Sequence, residues 1–284
     1  MLANLLKQLL NRPTQGADPA LTTPATGAAS SPGQSTDGPP PGQEWPYQLF
    51  LQLERLRHAW LGEHGTVVQG GPFAGLRYHD NSVEGCYLPK VMGTYEAELF
   101  DVLRLLPARG YRKVLNIGCA DGYYAVGLAR LLGDVPVWCC DIDAKAIAAT
   151  RALAATNGVT DRISVNEVLF RPQDFSAHAG PKTLVFIDIE GAESDLLAGP
   201  ALEGLAASDL VVEAHDCFIP GLSDKLAARF ASTHRVEVLT RRDLSLQLPE
   251  STSAWSDTDR ALAISEWRSG PTPWLWMKAR SGGQ

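Results

Sequence analysis

From Gly110 onward the chain alternates short apolar runs with helical stretches, and this rhythm constrains its fold more than any other feature of the 284 residues. KVLNIG, VPVWCCD, RISVNEVL, TLVFIDI, DLVVEA, RVEVL and PWLWMKA have strand length. YYAVGLARLL, AKAIAATRALAATNG, ESDLLAGPALEGLAA and LSDKLAARFAS carry the helical period between them. Strands that are apolar on both faces and separated by helices predict a parallel sheet covered on both sides. The expected architecture is therefore α/β: a doubly wound, seven-stranded, mostly parallel sheet over residues 111–279. Asn157 and Gly158 are placed to end one helix, and Pro200 interrupts another.

Residues 45–110 read as a helical and extended element in front of that domain. Leu49, Leu53, Leu56 and Trp60 fall on one helical face ended by Gly62 and Gly65. A glycine-punctuated, partly extended segment follows, and then a helix in TYEAELFDVLRLL with Thr94 as N-cap. Residues 13–44 are Pro, Gly, Ser, Thr and Ala with almost no bulky apolar side chains, the composition of a disordered linker. Residues 1–12 form a short amphipathic segment whose Asn4, Lys7 and Gln8 break any signal-peptide core or membrane span. Residues 280–284 read as a flexible tail.

The formal net charge of −7 offers no broad basic field, so nucleic acid is not an expected partner. Five scattered cysteines without C-x-x-C pairs predict reduced, mostly buried thiols and a cytoplasmic location.

The stretch NIGCADGYY (116–124) follows the first strand, where ligands bind in open doubly wound sheets. Gly118 lets the chain leave the strand sharply, and Gly122 is placed to let ligand atoms approach the first N–H groups of the next helix. The G-x-G of a dinucleotide loop is missing. Ala120 replaces the glycine that a pyrophosphate presses against, and Asp121 would stand beside the phosphates, so a ligand carrying an ammonium or hydroxyls fits better. At the end of the next strand Asp141, with Ile142 beside it, sits where ribose hydroxyls are held. The plainer role for Asp141 and Asp143 is capping of the following helix.

Strand, G-x-x-x-G turn, helix, strand and Asp together resemble the class I S-adenosylmethionine-dependent methyltransferases, which are Rossmann-like. FIDIEGAESDLLAG resembles the D-x-E-G-x-E block of the FkbM-type family, and GTYE is similar to some members. The resemblance spans Gly71 to Met277. It implies S-adenosylmethionine as cosubstrate and a hydroxyl acceptor on a sugar, a glycan or a natural product. Asn116 stands where that family commonly has an acid near the methionine end of the cosubstrate. Asp121 is the candidate to compensate, and Tyr95 and Glu96 are candidates to reach the cosubstrate. A nicotinamide-dependent oxidoreductase and a non-catalytic binding protein on the same fold are the alternatives.

The chemistry is expected where FIDIEGAE ends in Asp188 and Glu190 and VVEAHD ends in Glu213, His215 and Asp216. Alternation puts Glu213 and His215 on one face. His215 is the first candidate for the base that takes the acceptor's proton, oriented by Asp216 or Glu190. Asp188 also counts among the cosubstrate groups. The primary reading needs no metal; Asp188, Glu213 and Asp216 are the candidate set for a divalent ion. The bland alternatives are a Glu190 that merely favours a helix dipole and an ordinary polar strand end at His215 and Asp216. Phe170 and Phe175 are candidate adenine walls, and Trp60, Trp274 and Trp276 either line an acceptor pocket or are simply buried. Cys119 is taken as packing.

Overall fold

The computed structural model describes residues 44–80, 86–241 and 248–280. The expectations for residues 1–12, for the linker up to residue 43 and for the last four residues lie outside them.

Seven strands form one sheet in the order β3-β2-β1-β4-β5-β7-β6. They are β1 (Lys113–Ile117), β2 (Val137–Asp141), β3 (Ile163–Glu167), β4 (Thr183–Ile187), β5 (Asp209–Glu213), β6 (His234–Leu239) and β7 (Trp274–Ala279). The first five run parallel, and β7 enters antiparallel between β5 and β6. The chain order reverses at β1, whose neighbours are β2 and β4, so a crevice opens beyond the carboxyl ends of these strands.

Alternation along the strands divides the core into two layers. Val114, Leu184, Phe186, Val211, Trp274 and Trp276 face one layer; Leu115, Ile117, Val185, Ile187, Leu210, Val212, Leu275 and Met277 face the other. The first layer holds helices Tyr123–Leu131 and Ala144–Thr156, the second holds helix Leu222–Phe230.

Helix Glu44–His64 lays Leu49, Leu53, Leu56 and Trp60 into the first layer. Each such burial contributes about 1.5–3 kcal/mol. Asp259 ties this helix down, accepting from Gln52 Nε2 at 2.8 Å and Arg55 Nη2 at 2.6 Å. Its own helix, Asp257–Ala263, carries no strong apolar period and was not expected from the sequence.

Two expected helices are corrected. The segment expected as partly extended contains helix Tyr87–Met92, ended by Gly93 at φ 78°. Thr94 caps nothing: its N–H goes back to the Pro89 carbonyl at 2.9 Å, and the next helical turns begin only at Ala97. The stretch ESDLLAGPALEGLAA is split into Glu193–Leu196 and Pro200–Leu205, because Gly199 at φ 54° turns the chain and Pro200 restarts it at the first helical position. Trp60, Trp274 and Trp276 are core residues.

Candidate functional site

The turn after β1 is shaped first by packing. Gly118 has φ 80°, and a Cβ there would run into the Asp188 carbonyl oxygen; Gly122 has φ 91°, and a Cβ would lie 3.0 Å from Thr150 Cα. Both glycines therefore let the turn close against β4's exit and helix Ala144–Thr156; Gly122, expected to serve ligand approach, is not among the residues lining either cavity. Ala120, between them, adopts φ 46° without being glycine. Its N–H donates to Asp141 Oδ2 at 2.9 Å, while Asp143 N–H donates to Oδ1 at 3.0 Å. Asp141 is thus aimed at the turn, and the capping role falls to Asp143, which accepts from Lys145 N–H at 2.8 Å.

A cleft of about 520 Å³ lies beyond this point, lined by Gly118, Ala120, Asp141, Ile142, Leu169 and Phe170, among others. Ile142 is 72% exposed and Leu169 61%, so two large apolar side chains stand uncovered at the mouth. Phe175 is fully buried behind Phe170 and does not reach the cleft.

A second cavity of about 170 Å³ adjoins the first and shares Gly118, Ala120, Asp188 and Glu190 with it. Its wall carries six acids (Glu96, Asp121, Asp188, Glu190, Glu213 and Glu266) against Lys90, Arg268 and His215. Neighbouring parallel strands β4 and β5 bring the two expected strand ends together here. His215 is 3% exposed and lies face to face with Phe218, ring centroids 5.7 Å apart. Its Nε2 looks toward Glu190 Oε2 and Glu213 Oε2, each at 3.6 Å, and Asp188 Oδ1 at 3.8 Å.

The group that orients His215 is Glu193, whose Oε1 meets Nδ1 at 2.8 Å. The same oxygen accepts from Ile189 N–H at 3.2 Å and Gly191 N–H at 3.3 Å, so the carboxylate is fixed from three sides. Asp216 is corrected out of this role and out of the candidate metal set. Both of its oxygens are taken at 2.7 Å by the Ser223 N–H and hydroxyl, at the start of helix Leu222–Phe230. Glu193 is the last acid of D-x-E-G-x-E, a signal that the sequence displays but that reads equally well as helix-dipole compensation.

Two further expectations shift. Asn116 is 1% exposed, donates to the Phe186 carbonyl at 3.3 Å and lines neither cavity. Its place in the sheet turns it toward the first core layer. Asp121 is fully buried, with Lys90 Nζ at 3.3 Å and a short hydrogen bond from the Tyr78 hydroxyl, so its charge is met within the protein and is not offered to an ammonium.

Glu96 lines the second cavity rather than the first. Tyr124 donates to it and Arg268 Nη2 lies 3.1 Å away. Arg268 also binds Glu213 at 2.6 Å and Glu266 at 2.9 Å, holding three elements together from a loop in which no motif announced it. Of the five positive-φ residues other than glycine among the described residues, Glu96, Ala120, Glu190 and Trp267 line this cavity. Such conformations cost about 1–3 kcal/mol each and gather at functional sites.

The crowding of acids shows in their proton affinities. Burial and the Glu213 charge push Glu96 well above the usual carboxylate range, and burial with Glu213 and Glu96 does the same to Asp188. Burial alone would lower His215, but the Glu193 hydrogen bond and the charges of Glu213, Glu193 and Glu190 outweigh it and raise the imidazole. Burial likewise opposes the charge on Arg268, and Glu96, Glu213 and Glu266 more than restore it.

A crevice at the strand-order reversal, an acid at the end of β2 and a seven-stranded sheet with one antiparallel strand belong together. The fold is the Rossmann-like, doubly wound α/β fold. No family model matches the chain. It is 33% identical over 92 residues to ribosomal RNA small subunit methyltransferase C of Escherichia coli O1:K1, covering 31% of this chain and 27% of that relative's length. The chain thus matches about a quarter of its curated relatives. An S-adenosylmethionine-dependent O-methyltransferase of Thermotoga maritima is 10% identical, with TM-score 0.44, covering 67% of this chain and 68% of the other. The O-methyltransferase of Bacillus cereus in complex with SAH is 18% identical, with TM-score 0.40, covering 67% and 84%. No helix among the described residues is long and apolar enough to cross a membrane.

Proposed function

We propose that the protein is an S-adenosylmethionine-dependent O-methyltransferase of FkbM type acting on a hydroxyl of a small molecule or glycan. One observation carries this reading: the cleft at Asp141 and the acid-lined cavity around His215 adjoin, with Gly118, Ala120, Asp188 and Glu190 lining both. The nucleoside fits the cleft, with Asp141 accepting from ribose hydroxyls and Ile142, Leu169 and Phe170 against adenine. The sulfonium then lies at the boundary that the two cavities share, where the surplus of carboxylates complements its charge. The acceptor hydroxyl is delivered beside His215. As the S–CH3 bond breaks and the O–CH3 bond forms, the hydroxyl proton passes to the cluster of His215, Asp188, Glu190 and Glu213. In-line alignment of the two reactants supplies much of the rate.

The same charges argue against an RNA acceptor, although the curated relatives carry ribosomal RNA in their name. A phosphate backbone needs Lys and Arg partners, and this wall is acidic. They also argue against a dinucleotide. The place a pyrophosphate would take before helix Tyr123–Leu131 is filled by the Asp121 carboxylate, which accepts from Tyr123 N–H at 3.4 Å. Asn116 lines neither cavity, so its amide in place of the family's acid does not separate a catalytic from a non-catalytic protein on this fold.

Thermal melting with S-adenosylhomocysteine, with NAD and without ligand tests the reading. Ligand at a hundredfold its Kd stabilises by about 2.7 kcal/mol, so S-adenosylhomocysteine is expected to raise Tm clearly and NAD to leave it unchanged. A rise with NAD alone overturns the assignment.

A further inference from the structure

The cluster around His215 is arranged as a ligand set that lacks its central atom. Asp188, Glu213 and His215 each place one donor atom within 4.8 Å of the other two. His215 is 3% exposed, and its Nε2 lies 3.6–3.8 Å from three carboxylate oxygens, too far for a hydrogen bond. Asp188 Oδ1 is buried and accepts no hydrogen bond at all. Buried polar atoms are almost always paired, so an orphaned carboxylate oxygen facing the imidazole Nε2 calls for a partner there. The other nitrogen of the ring is already fixed: Nδ1 meets Glu193 Oε1 at 2.8 Å, and Glu193 is itself held by two backbone N–H groups. A carboxylate on one imidazole nitrogen, with the other aimed at neighbouring acids, is the outer-shell arrangement of metal-bound histidines.

We propose that Asp188, Glu213 and His215 form a divalent metal site, with Glu193 as the positioning residue that sets the histidine tautomer. Donors about 2.0–2.2 Å from an ion lie roughly 3.0–3.6 Å from one another; Nε2 already stands 3.6 Å from Glu213 Oε2 and 3.8 Å from Asp188 Oδ1, and all three donors fall within 4.8 Å of one another. Two carboxylates and one imidazole form a mixed oxygen and nitrogen set, which suits a first-row transition ion better than calcium, whose sites are built from oxygen alone. Glu213 can serve because Arg268 holds its Oε1 at 2.6 Å and leaves Oε2 toward His215. The ion would stand in the acid-lined cavity, next to the Asp188 wall that it shares with the cleft, where it would bind the acceptor hydroxyl and lower its pKa. The site does not depend on the cosubstrate reading, since none of its ligands comes from the Asp141 cleft wall except Asp188.

Electron paramagnetic resonance of Mn2+ titrated into the chelator-stripped full chain reads the site directly, because bound Mn2+ loses the sharp signal of the free ion. One ion per chain is expected, displaced by Zn2+ and not by Ca2+. His215→Ala and Asp188→Asn should each weaken it at least about tenfold, and Glu193→Gln by about 10–100-fold, with S-adenosylhomocysteine binding of His215→Ala and an unchanged far-ultraviolet circular dichroism spectrum of all three variants as the checks on folding. Asp216→Asn should leave Mn2+ affinity within about twofold, since Asp216 is engaged with Ser223. Absence of stoichiometric Mn2+ uptake, or uptake indifferent to His215→Ala and Asp188→Asn, overturns the proposal and leaves the cage to a shared proton. Metal uptake without S-adenosylhomocysteine binding would retain the site while removing the methyltransferase reading.

Discussion

The two cavities differ in how they are built. The Asp141 cleft is made of the turn after β1 and the segments that leave the next three strands in the chain, and much of its wall is apolar and uncovered. The acid-lined cavity is assembled across the chain: Arg268 meets Glu213 from 55 residues away and Glu96 from 172. One is an open receptacle whose missing surface a nucleoside would supply. The other is a charged, pre-set cluster whose residues hold one another in place, and it tolerates little change.

Gly118 belongs to both cavities, and changing it should do the most damage. In Gly118→Ala the Cβ meets the Asp188 carbonyl at a φ of 80°, so both walls move. A loss of more than about 4 kcal/mol is expected, read from urea unfolding; an ordinary loss of under 1 kcal/mol would mean that the turn is less confined than its contacts indicate. Arg268→Met isolates the acid-lined cavity. It leaves Glu96, Glu213 and Glu266 without their shared cation, which should cost about 3–5 kcal/mol near neutral pH while the Asp141 cleft keeps its shape. Recovery toward low pH, as the acids take up protons, would distinguish charge repulsion from lost packing.

The wild type should show the same charge effect in milder form. Glu96 and Asp188 are held above the ordinary carboxylate range and His215 above 6.5. The folded protein therefore keeps protons that the unfolded chain has released, so stability falls as pH rises from the ordinary carboxylate range through the raised values. Tm followed from pH 5 to 8 should decline, and Glu96→Gln should flatten that decline. A Tm that rises over this range would contradict the raised affinities. The smallest effect belongs to the open cleft: Ile142→Ala should weaken S-adenosylhomocysteine by about fivefold, or about 1 kcal/mol, with no change in melting of the ligand-free protein. An unchanged affinity would move adenine away from Ile142.

The same contrast explains what the sequence made legible. Seven strands, their mostly parallel sense and the Asp141 position follow from local periodicity and from a spacing of about 20 residues. The convergence of Asp188, Glu190, Glu213 and His215 follows from adjacent strand ends. Glu193 was visible as the last acid of its block, yet its buried orientation depends on a three-residue turn through Glu190 at φ 53° that no periodicity encodes. Arg268 had no local signal, because its meaning comes only from the acids it meets. Asp216 and Asn116 were misplaced because a polar residue at a strand end looks the same whether it faces a ligand, a helix start or the sheet.

The central claim is that cosubstrate binding resides at Asp141 and is separable from the His215 cluster. Isothermal titration of S-adenosylhomocysteine into the wild type, Asp141→Asn and His215→Ala tests it most directly. One site per chain is predicted, weakened about 10–100-fold by Asp141→Asn, the loss of a charge-assisted hydrogen bond, and changed less than about twofold by His215→Ala. Equal weakening by both variants, or no binding to the wild type, would contradict it.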